Sequence, residues 1–119
     1  MQRLLRRSMS SSVRHRFLVY APDKTDKDAF ARRMSVRATH LDVAKQNIAN
    51  GKFLVAGALL TPESLHSEEK KMVGSSFIVE AETLEEVKEI MEKDIYYTSG
   101  VWDPEKLVIL PFVAATPFP

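Results

Sequence analysis

An arginine and a histidine lie on one edge of the longest predicted helix, which runs to about Asn50. Its apolar residues recur at steps of three or four, the period of a helix face turned towards a core. They are Phe30, Met34, Leu41, Ala44 and Ile48. Arg37 stands where this series needs an apolar residue, and His40 lies one turn later on the same edge. Because an unpaired buried guanidinium is very costly, we predict that Arg37 and His40 line a pocket.

Each charged candidate could instead have a purely structural role. Arg37 could bind the carboxylate of an acidic small molecule through its forked donors, or it could pair with Asp94 or Glu80 of the protein. His40 suits proton transfer because an imidazole changes charge near neutral pH, but it could also be solvated at the helix flank. Asp94 opposes the dipole of the second predicted helix, which makes it a functional candidate, or it simply begins the next turn.

Two serines and two aromatic residues are the remaining candidates for a substrate site. Ser75 and Ser76 alternate across the third predicted strand, so one of them faces the pocket side. Either hydroxyl could orient a ligand or be satisfied by the backbone. Tyr97 and Trp102, together with the adjacent Tyr96, could form a wall against a flat ligand, or pack in the core between the second helix and the last strand. We include the two serines, Tyr97 and Trp102 in the predicted substrate site.

The composition sets several chemistries aside. The chain has no cysteine, which removes disulfides, thiolate nucleophiles and cysteine-based metal centres. The three histidines form no i, i+4 pair, and the four glycines are isolated, so no zinc motif or phosphate-binding loop is present. We therefore expect neither a metal nor a cofactor, although haem held by His40 alone would leave little trace in the sequence. No apolar run approaches the length needed to span a bilayer.

The charge is unevenly distributed along the chain. The formal net charge is +1, but residues 1–20 hold five arginines and no acid, and the rest holds 12 basic against 16 acidic residues. The mildly acidic remainder argues against nucleic acid as a partner. Residues 1–14 have the Arg- and Ser-rich composition of a mitochondrial presequence, although a plain extension would look the same. We expect a mitochondrial or cytoplasmic protein with one domain over residues 15–119.

The elements that must position these residues follow the order β-α-β-β-α-β. The predicted strands are Arg16–Ala21, Phe53–Leu60, Gly74–Glu80 and Lys106–Val113, with helices between the first two strands and between the last two. Gly51 ends the first helix, and Thr83 with Glu86 forms a capping box for the second. The order predicts a ferredoxin-like α+β sandwich with strand order 4-1-3-2. Pro111 fits an edge position for the last strand.

Two of the strands predict an assembly. The second and last strands are apolar on both sides, which is typical of strands buried on both faces. Two helices cover only one face of a four-stranded sheet, so the other face needs a cover. We therefore predict a homodimer in which two sheets pack face to face.

Five segments resemble the YciI-like (YCII-related) family of small dimeric α/β-barrel proteins. They are Phe17-Leu18-Val19-Tyr20, Val36-Arg37-Ala38-Thr39-His40-Leu41, Phe53–Gly57, Gly74-Ser75-Ser76-Phe77, and Lys93-Asp94 with Gly100-Val101. The resemblance covers about residues 16–113. The family is similar in fold to muconolactone isomerases and cofactor-free α/β-barrel monooxygenases. Many relatives have Asp-Pro after the second helix, whereas here Ile95 follows Asp94.

The resemblance implies a His–Asp active site, which it places at His40 and Asp94. We expect a cofactor-free lyase or isomerase acting on a small organic acid or lactone, with His40 moving the proton and Arg37 anchoring the anion. The alternative is a non-catalytic dimeric module that binds a small ligand or a partner protein. The distance between the two side chains separates these hypotheses: about 3.2 Å favours the enzyme, and a solvent-exposed Asp94 far from His40 favours the binding module.

Overall fold

The computed structural model describes residues 13–118, and the predicted presequence falls almost entirely outside them. The elements are β1 (His15–Pro22), α1 (Ala29–Ala49), β2 (Phe53–Leu60), a 3-10 helix (Pro62–His66), β3 (Met72–Ala81), α2 (Leu84–Lys93), α3 (Ile95–Thr98) and β4 (Val108–Phe112). No helix within this part of the chain is long and apolar enough to cross a membrane. The domain is therefore the predicted α+β arrangement with one additional short helix.

The four strands form one antiparallel sheet in the order β2-β3-β1-β4. This order is the predicted ferredoxin-like arrangement, and it places β4 at an edge, where Pro111 costs no internal ladder hydrogen bond. The long central pairing of β1 with β3 sets Phe17 beside Val79 and Ala21 beside Ser75. Side chains of this parity face the helices and form the core, and those of the other parity face away from it.

A register shift in β2 brings small side chains over the helix side of the sheet. Phe53 pairs with Val79, but after the shift Ala56 pairs with Phe77 and Ala58 pairs with Ser75. The extra residue keeps Phe53, Ala56 and Ala58 on one face, as a β-bulge does. Because alanine fills little volume, this end of the β2–β3 pair leaves room between the sheet and α1.

The face of α1 that meets the core agrees with the predicted one only at Ala44, which is buried, and at the partly buried Leu41. Its buried residues are Ala29, Arg33, His40 and Ala44. The side chains of Phe30, Met34 and Ile48, which the sequence pattern placed inward, are 37%, 43% and 53% exposed. One residue along a helix turns the face by about 100°, so the large apolar residues marked the wrong phase. The buried arginine is therefore Arg33, and Arg37 is only half-buried.

The second helix follows the sequence more closely. The Thr83 side chain accepts a hydrogen bond from the Glu86 amide at 3.1 Å, so the predicted N-cap is present. The Glu86 carboxylate accepts from the amide of Glu82, one residue before the cap, so the reciprocal half of the capping box is displaced by one residue. Asp94 ends α2 and also caps α3, accepting from the Tyr96 amide at 2.9 Å. The region predicted as a loop after residue 94 thus begins with one more helical turn. The predicted connection at 61–72 contains the 3-10 helix.

The sheet face away from the helices carries an apolar patch, which we call the open sheet face. It comprises Leu18, Tyr20, Val55, Val108 and Leu110, all exposed in the single chain. Leu18 pairs with Leu110, and Tyr20 pairs with Val108, so these side chains are adjacent on the β1–β4 pair. The strands are thus apolar on both sides as the sequence indicated, but one side lacks a cover within the described residues.

Candidate active site

The imidazole of His40 and the carboxylate of Asp94 are in direct contact. His40 Nδ1 lies 2.9 Å from Asp94 Oδ1 and 3.1 Å from Oδ2. Both residues are 7% exposed. His40 reaches this position from the buried face of α1, and Asp94 reaches it from the junction of α2 and α3. The two residues that the sequence marked separately therefore form one buried pair.

The surroundings of the pair fix the ring of His40. A carboxylate at Nδ1 favours the tautomer that carries its proton there, which leaves Nε2 able to accept a proton. The imidazole stacks on the Tyr96 ring, with centroids 3.9 Å apart and planes 15° from parallel. Trp102 approaches the imidazole edge-on, with centroids 6.2 Å apart. The ring is thus held by one hydrogen-bonded partner and two aromatic neighbours.

A buried ion pair lies beside this histidine. Arg33 Nη1 donates to both carboxylate oxygens of Asp23, at 2.8 and 3.1 Å. The guanidinium also lies over the Tyr96 ring, 4.5 Å from its centroid. Burial raises the pKa of Asp23 above its usual value, and the neighbouring Arg33 charge opposes that rise. Within residues 13–118, Arg33 Nε is the one buried side-chain nitrogen or oxygen without a hydrogen-bond partner, and its contact with an aromatic face compensates in part.

Ser75 joins the ion pair to the aromatic residues. Its Oγ accepts from Arg33 Nη2 at 3.0 Å and from Trp102 Nε1 at 3.2 Å. Ser75 lies on the helix side of β3, where it pairs with the buried Ala21 of β1. The sheet therefore presents this hydroxyl to the same region that receives His40 from α1.

These side chains surround a cavity of about 320 Å³ between α1 and the sheet. Its polar and titratable lining residues are Arg33, Arg37, His40, Lys45, Ser75 and Tyr96, and its apolar lining includes Ala56, Ala58 and Phe77. Arg37 forms no salt bridge with any residue in the described range, because Asp94 pairs with His40 and Glu80 pairs with Arg16. The cavity is therefore cationic and is small enough to suit a one-ring or shorter ligand.

The remaining predicted residues lie elsewhere. Ser76 faces the opposite side of the sheet, because neighbouring residues of a strand alternate. Its hydroxyl donates to the Val19 carbonyl at 3.0 Å. Tyr97 lines a separate cavity of about 350 Å³ with Leu84 and Leu107. Trp102 is fully buried and acts on the site through its contacts with Ser75 and His40.

Sequence reasoning missed Asp23 and Arg33, and it named Tyr96 among the aromatic candidates but placed only Tyr97 and Trp102 in the site. Arg33 lies four residues before Arg37 on the same helix, so the pattern offered both arginines, and the wrong helical phase selected the other one. Tyr96 and Tyr97 are adjacent, and only the unexpected helix α3 decides which ring faces the core. Asp23 had a weak signal as an acidic residue at the end of β1. The described residues contain no group of three or more His, Asp or Glu side chains arranged to hold a metal ion.

Taken together, the fold and this site define a ferredoxin-like α+β domain with a buried His–Asp pair beside a small cationic cavity. The YCII-related domain family matches residues 15–112, and the chain belongs to that family. It is 35% identical over 96 residues to fusaric acid biosynthesis protein 2 of Gibberella fujikuroi, covering 81% of this chain and 90% of that protein. It is 31% identical over 96 residues to protein YciI of Escherichia coli, covering 81% and 94% respectively.

A solved structure shares the fold. The 5-chloro-2-hydroxyhydroquinone dehydrochlorinase TftG from Burkholderia phenoliruptrix, determined in complex with 2,5-dihydroxybenzoquinone, aligns with a TM-score of 0.68 and 25% sequence identity. The alignment covers 82% of this chain and 93% of that one. This similarity agrees with the strand order and helix placement described above.

Proposed function

We propose that this protein is a cofactor-independent enzyme of the lyase or isomerase kind, in which His40 moves a proton on a small organic acid or lactone. The observation that carries the proposal is the 2.9 Å contact between His40 Nδ1 and Asp94 Oδ1 beside a cavity. A distance within about 3.2 Å favours an enzyme over a binding module, because a carboxylate on the imidazole orients it for proton transfer.

In this mechanism the substrate gives its acidic proton to Nε2 of His40. Asp94 holds the Nδ1 proton and stabilises the imidazolium that forms. The electron pair of the broken bond enters the substrate as a new double bond. In an isomerase the imidazolium returns the proton to another atom of the substrate; in a lyase a leaving group departs with its own electron pair. General base catalysis of this kind contributes roughly 10²–10⁴-fold to the rate.

Arg37 supplies the anchor for an acidic substrate. It lines the same cavity as His40 and forms no salt bridge within the described part of the chain. A forked guanidinium binds a carboxylate or a similar oxygen pair. Two similar proteins support this class: one is named for the biosynthesis of an organic acid, and TftG for removing HCl from a chlorinated hydroxyhydroquinone. Elimination of HCl removes a proton from the substrate, as the proposed step at His40 does.

The proposal is tested by a thermal-shift screen of small organic acids, lactones and dihydroxybenzoquinones, followed by turnover assays on the compounds that bind. The His40→Ala variant should lose at least 10²-fold in kcat. The matched control is His66→Ala, because His66 is exposed on the 3-10 helix. Full turnover in His40→Ala, or binding without turnover of any compound by the wild type, would favour the binding module.

We also propose that the protein is a homodimer. Support comes from the open sheet face, where apolar side chains of β1, β2 and β4 remain exposed in the single chain. Apolar patches of this kind mark association surfaces, and a twofold assembly covers the same patch on both copies. The His40 cavity lies on the helix side of the sheet, so dimerisation through the other face leaves it accessible.

A further inference from the structure

We propose that the Ser75 hydroxyl donates a hydrogen bond to the substrate oxygen on which negative charge develops when His40 removes the proton. The same hydroxyl accepts no hydrogen bond from the substrate. This inference rests on the proposed function and adds a class of substrate to it: a small compound with a carbonyl or phenolic oxygen near the acidic proton. Ser75 is 1% exposed and lines the cavity that His40 also lines.

The direction of the hydroxyl follows from counting its hydrogen bonds. A serine hydroxyl has two lone pairs and one hydrogen, whereas a guanidinium and an indole N–H can only donate. Arg33 Nη2 and Trp102 Nε1 both donate to Ser75 Oγ, so both lone pairs are occupied. The hydroxyl donates to no acceptor within residues 13–118. Its hydrogen is therefore left for a ligand, and a ligand group placed there must be an acceptor.

The charge of Arg33 makes this hydroxyl a stronger donor. An oxygen that accepts from a cation becomes more polarised, and the next hydrogen bond in the chain is strengthened. Asp23 holds the guanidinium in place through contacts of 2.8 and 3.1 Å. Asp23 and Arg33 are therefore positioning residues, which act on the substrate through Ser75.

The balance of the step is simple. As the carbon–hydrogen bond next to a carbonyl breaks, its electron pair forms a carbon–carbon double bond, and the carbonyl π pair moves onto oxygen. The proton is on Nε2 of His40, and the oxyanion accepts from Ser75. The half-buried Arg37 adds positive charge to the same cavity. Donors arranged around a developing oxyanion are usually the largest single contribution to such catalysis.

The test uses para-nitrophenol, whose yellow phenolate form is distinguished from the phenol by absorbance. Both forms are titrated against the full-length protein, and the ratio of their affinities is the readout. Wild-type protein should prefer the phenolate, and Ser75→Ala should lower that preference about tenfold or more, as expected for a hydrogen bond to a charged group. Ser76→Ala is the matched control, because its hydroxyl is on the opposite face of the sheet.

A second variant tests the same inference if Ser75→Ala does not fold. Trp102→Phe frees one lone pair of Ser75, which can then accept from a phenol, so the phenolate preference should fall. Wild-type protein that binds both forms equally, or neither, overturns the inference, as does an unchanged preference in Ser75→Ala. These outcomes differ from failure of the proposed function, which is an unchanged turnover in His40→Ala.

Discussion

The imidazole of His40 lies flat against the phenol ring of Tyr96, with centroids 3.9 Å apart and planes 15° from parallel. Asp94, the hydrogen-bonded partner of the imidazole, caps the short helix α3 that carries Tyr96. The two residues that contact the imidazole are therefore only two positions apart in the chain. One turn of helix therefore sets both the plane of the ring and the direction of its Nδ1–H bond. Burial raises the pKa of Tyr96, so its hydroxyl stays protonated at neutral pH.

The stack predicts different results for two substitutions of Tyr96. Tyr96→Phe keeps the ring and should retain kcat within roughly tenfold. Tyr96→Leu removes the flat surface, so the imidazole should lose its alignment, and a misplacement of about 1 Å costs roughly 10²-fold in rate. The measurement is kcat on a substrate found by the screen, with the melting temperature as the control for folding. Equal kcat values in the two variants would mean that the stack does not orient the ring.

The fold could be predicted because local patterns and topology rules agree. Strands that are apolar on both sides, the helix start signal at Thr83 and the edge-compatible Pro111 agree with the order β-α-β-β-α-β and the strand order 4-1-3-2. The phase of α1 could not be predicted in the same way. Its core face carries two alanines, an arginine and a histidine, because it borders a cavity. A method that seeks large apolar residues therefore selects the exposed side of this helix.

The site was predictable only in part. His40 and Asp94 are 54 residues apart in sequence, and the family resemblance supplied their pairing, not the spacing. The Asp23–Arg33–Ser75 connection joins β1, α1 and β3, so its partners appear only when the sheet register is known. The bulge in β2, which sets Ala56 and Ala58 beside the cavity, has no clear signal in an uninterrupted apolar run.

Asp94→Asn tests the orientation of the imidazole without removing the helix cap. Asparagine is as good a cap as aspartate, so α3 should remain. Its amide group would donate to Nδ1 and shift the ring proton to Nε2, which could then no longer accept the substrate proton. We expect a loss of at least 10²-fold in kcat with a nearly unchanged melting temperature. Asp42→Asn, on an exposed position of α1, is the control that should keep full turnover.

Removing one partner of the buried Asp23–Arg33 ion pair should lower the free energy of unfolding more than removing both partners does. Asp23→Ala leaves the Arg33 charge buried without its carboxylate, which costs about 3–5 kcal/mol. The double variant Asp23→Ala/Arg33→Met should recover part of that loss, since both charges are then absent. Urea unfolding of the wild type, both single variants and the double variant gives the coupling free energy. Additive losses would show that the two side chains do not stabilise one another.

The Asp26–Arg32 pair predicts a dependence of stability on acid. Hydrogen bonds from Arg32 lower the pKa of Asp26 from 3.8 to about 2. Because this folded-state pKa lies below the unfolded one, the ionised carboxylate contributes stability above about pH 4, and the contribution is lost as the pH falls towards about 2. The unfolding free energies of wild type and Asp26→Asn should therefore differ near neutral pH and converge in acid. In an Arg32→Met background, which also loses the contacts with the Gly100 carbonyl, the pH-dependent part of the difference should shrink to what the Asp28 amide contributes.

The open sheet face predicts the effect of a charge on assembly. Leu110 is 57% exposed in the single chain and pairs with Leu18 at the centre of the β1–β4 contact. A lysine there would be buried in a sheet-to-sheet dimer, so we expect Leu110→Lys to be a monomer in sedimentation velocity at micromolar concentration and the wild type to sediment as a dimer. Leu65→Lys is the matched control, because Leu65 is 75% exposed on the 3-10 helix, away from that face. A wild type that remains monomeric would remove the dimer proposal. A dimer that persists in Leu110→Lys would move the interface to another surface, of which the exposed Phe30, Met34 and Ile48 side of α1 is the next candidate.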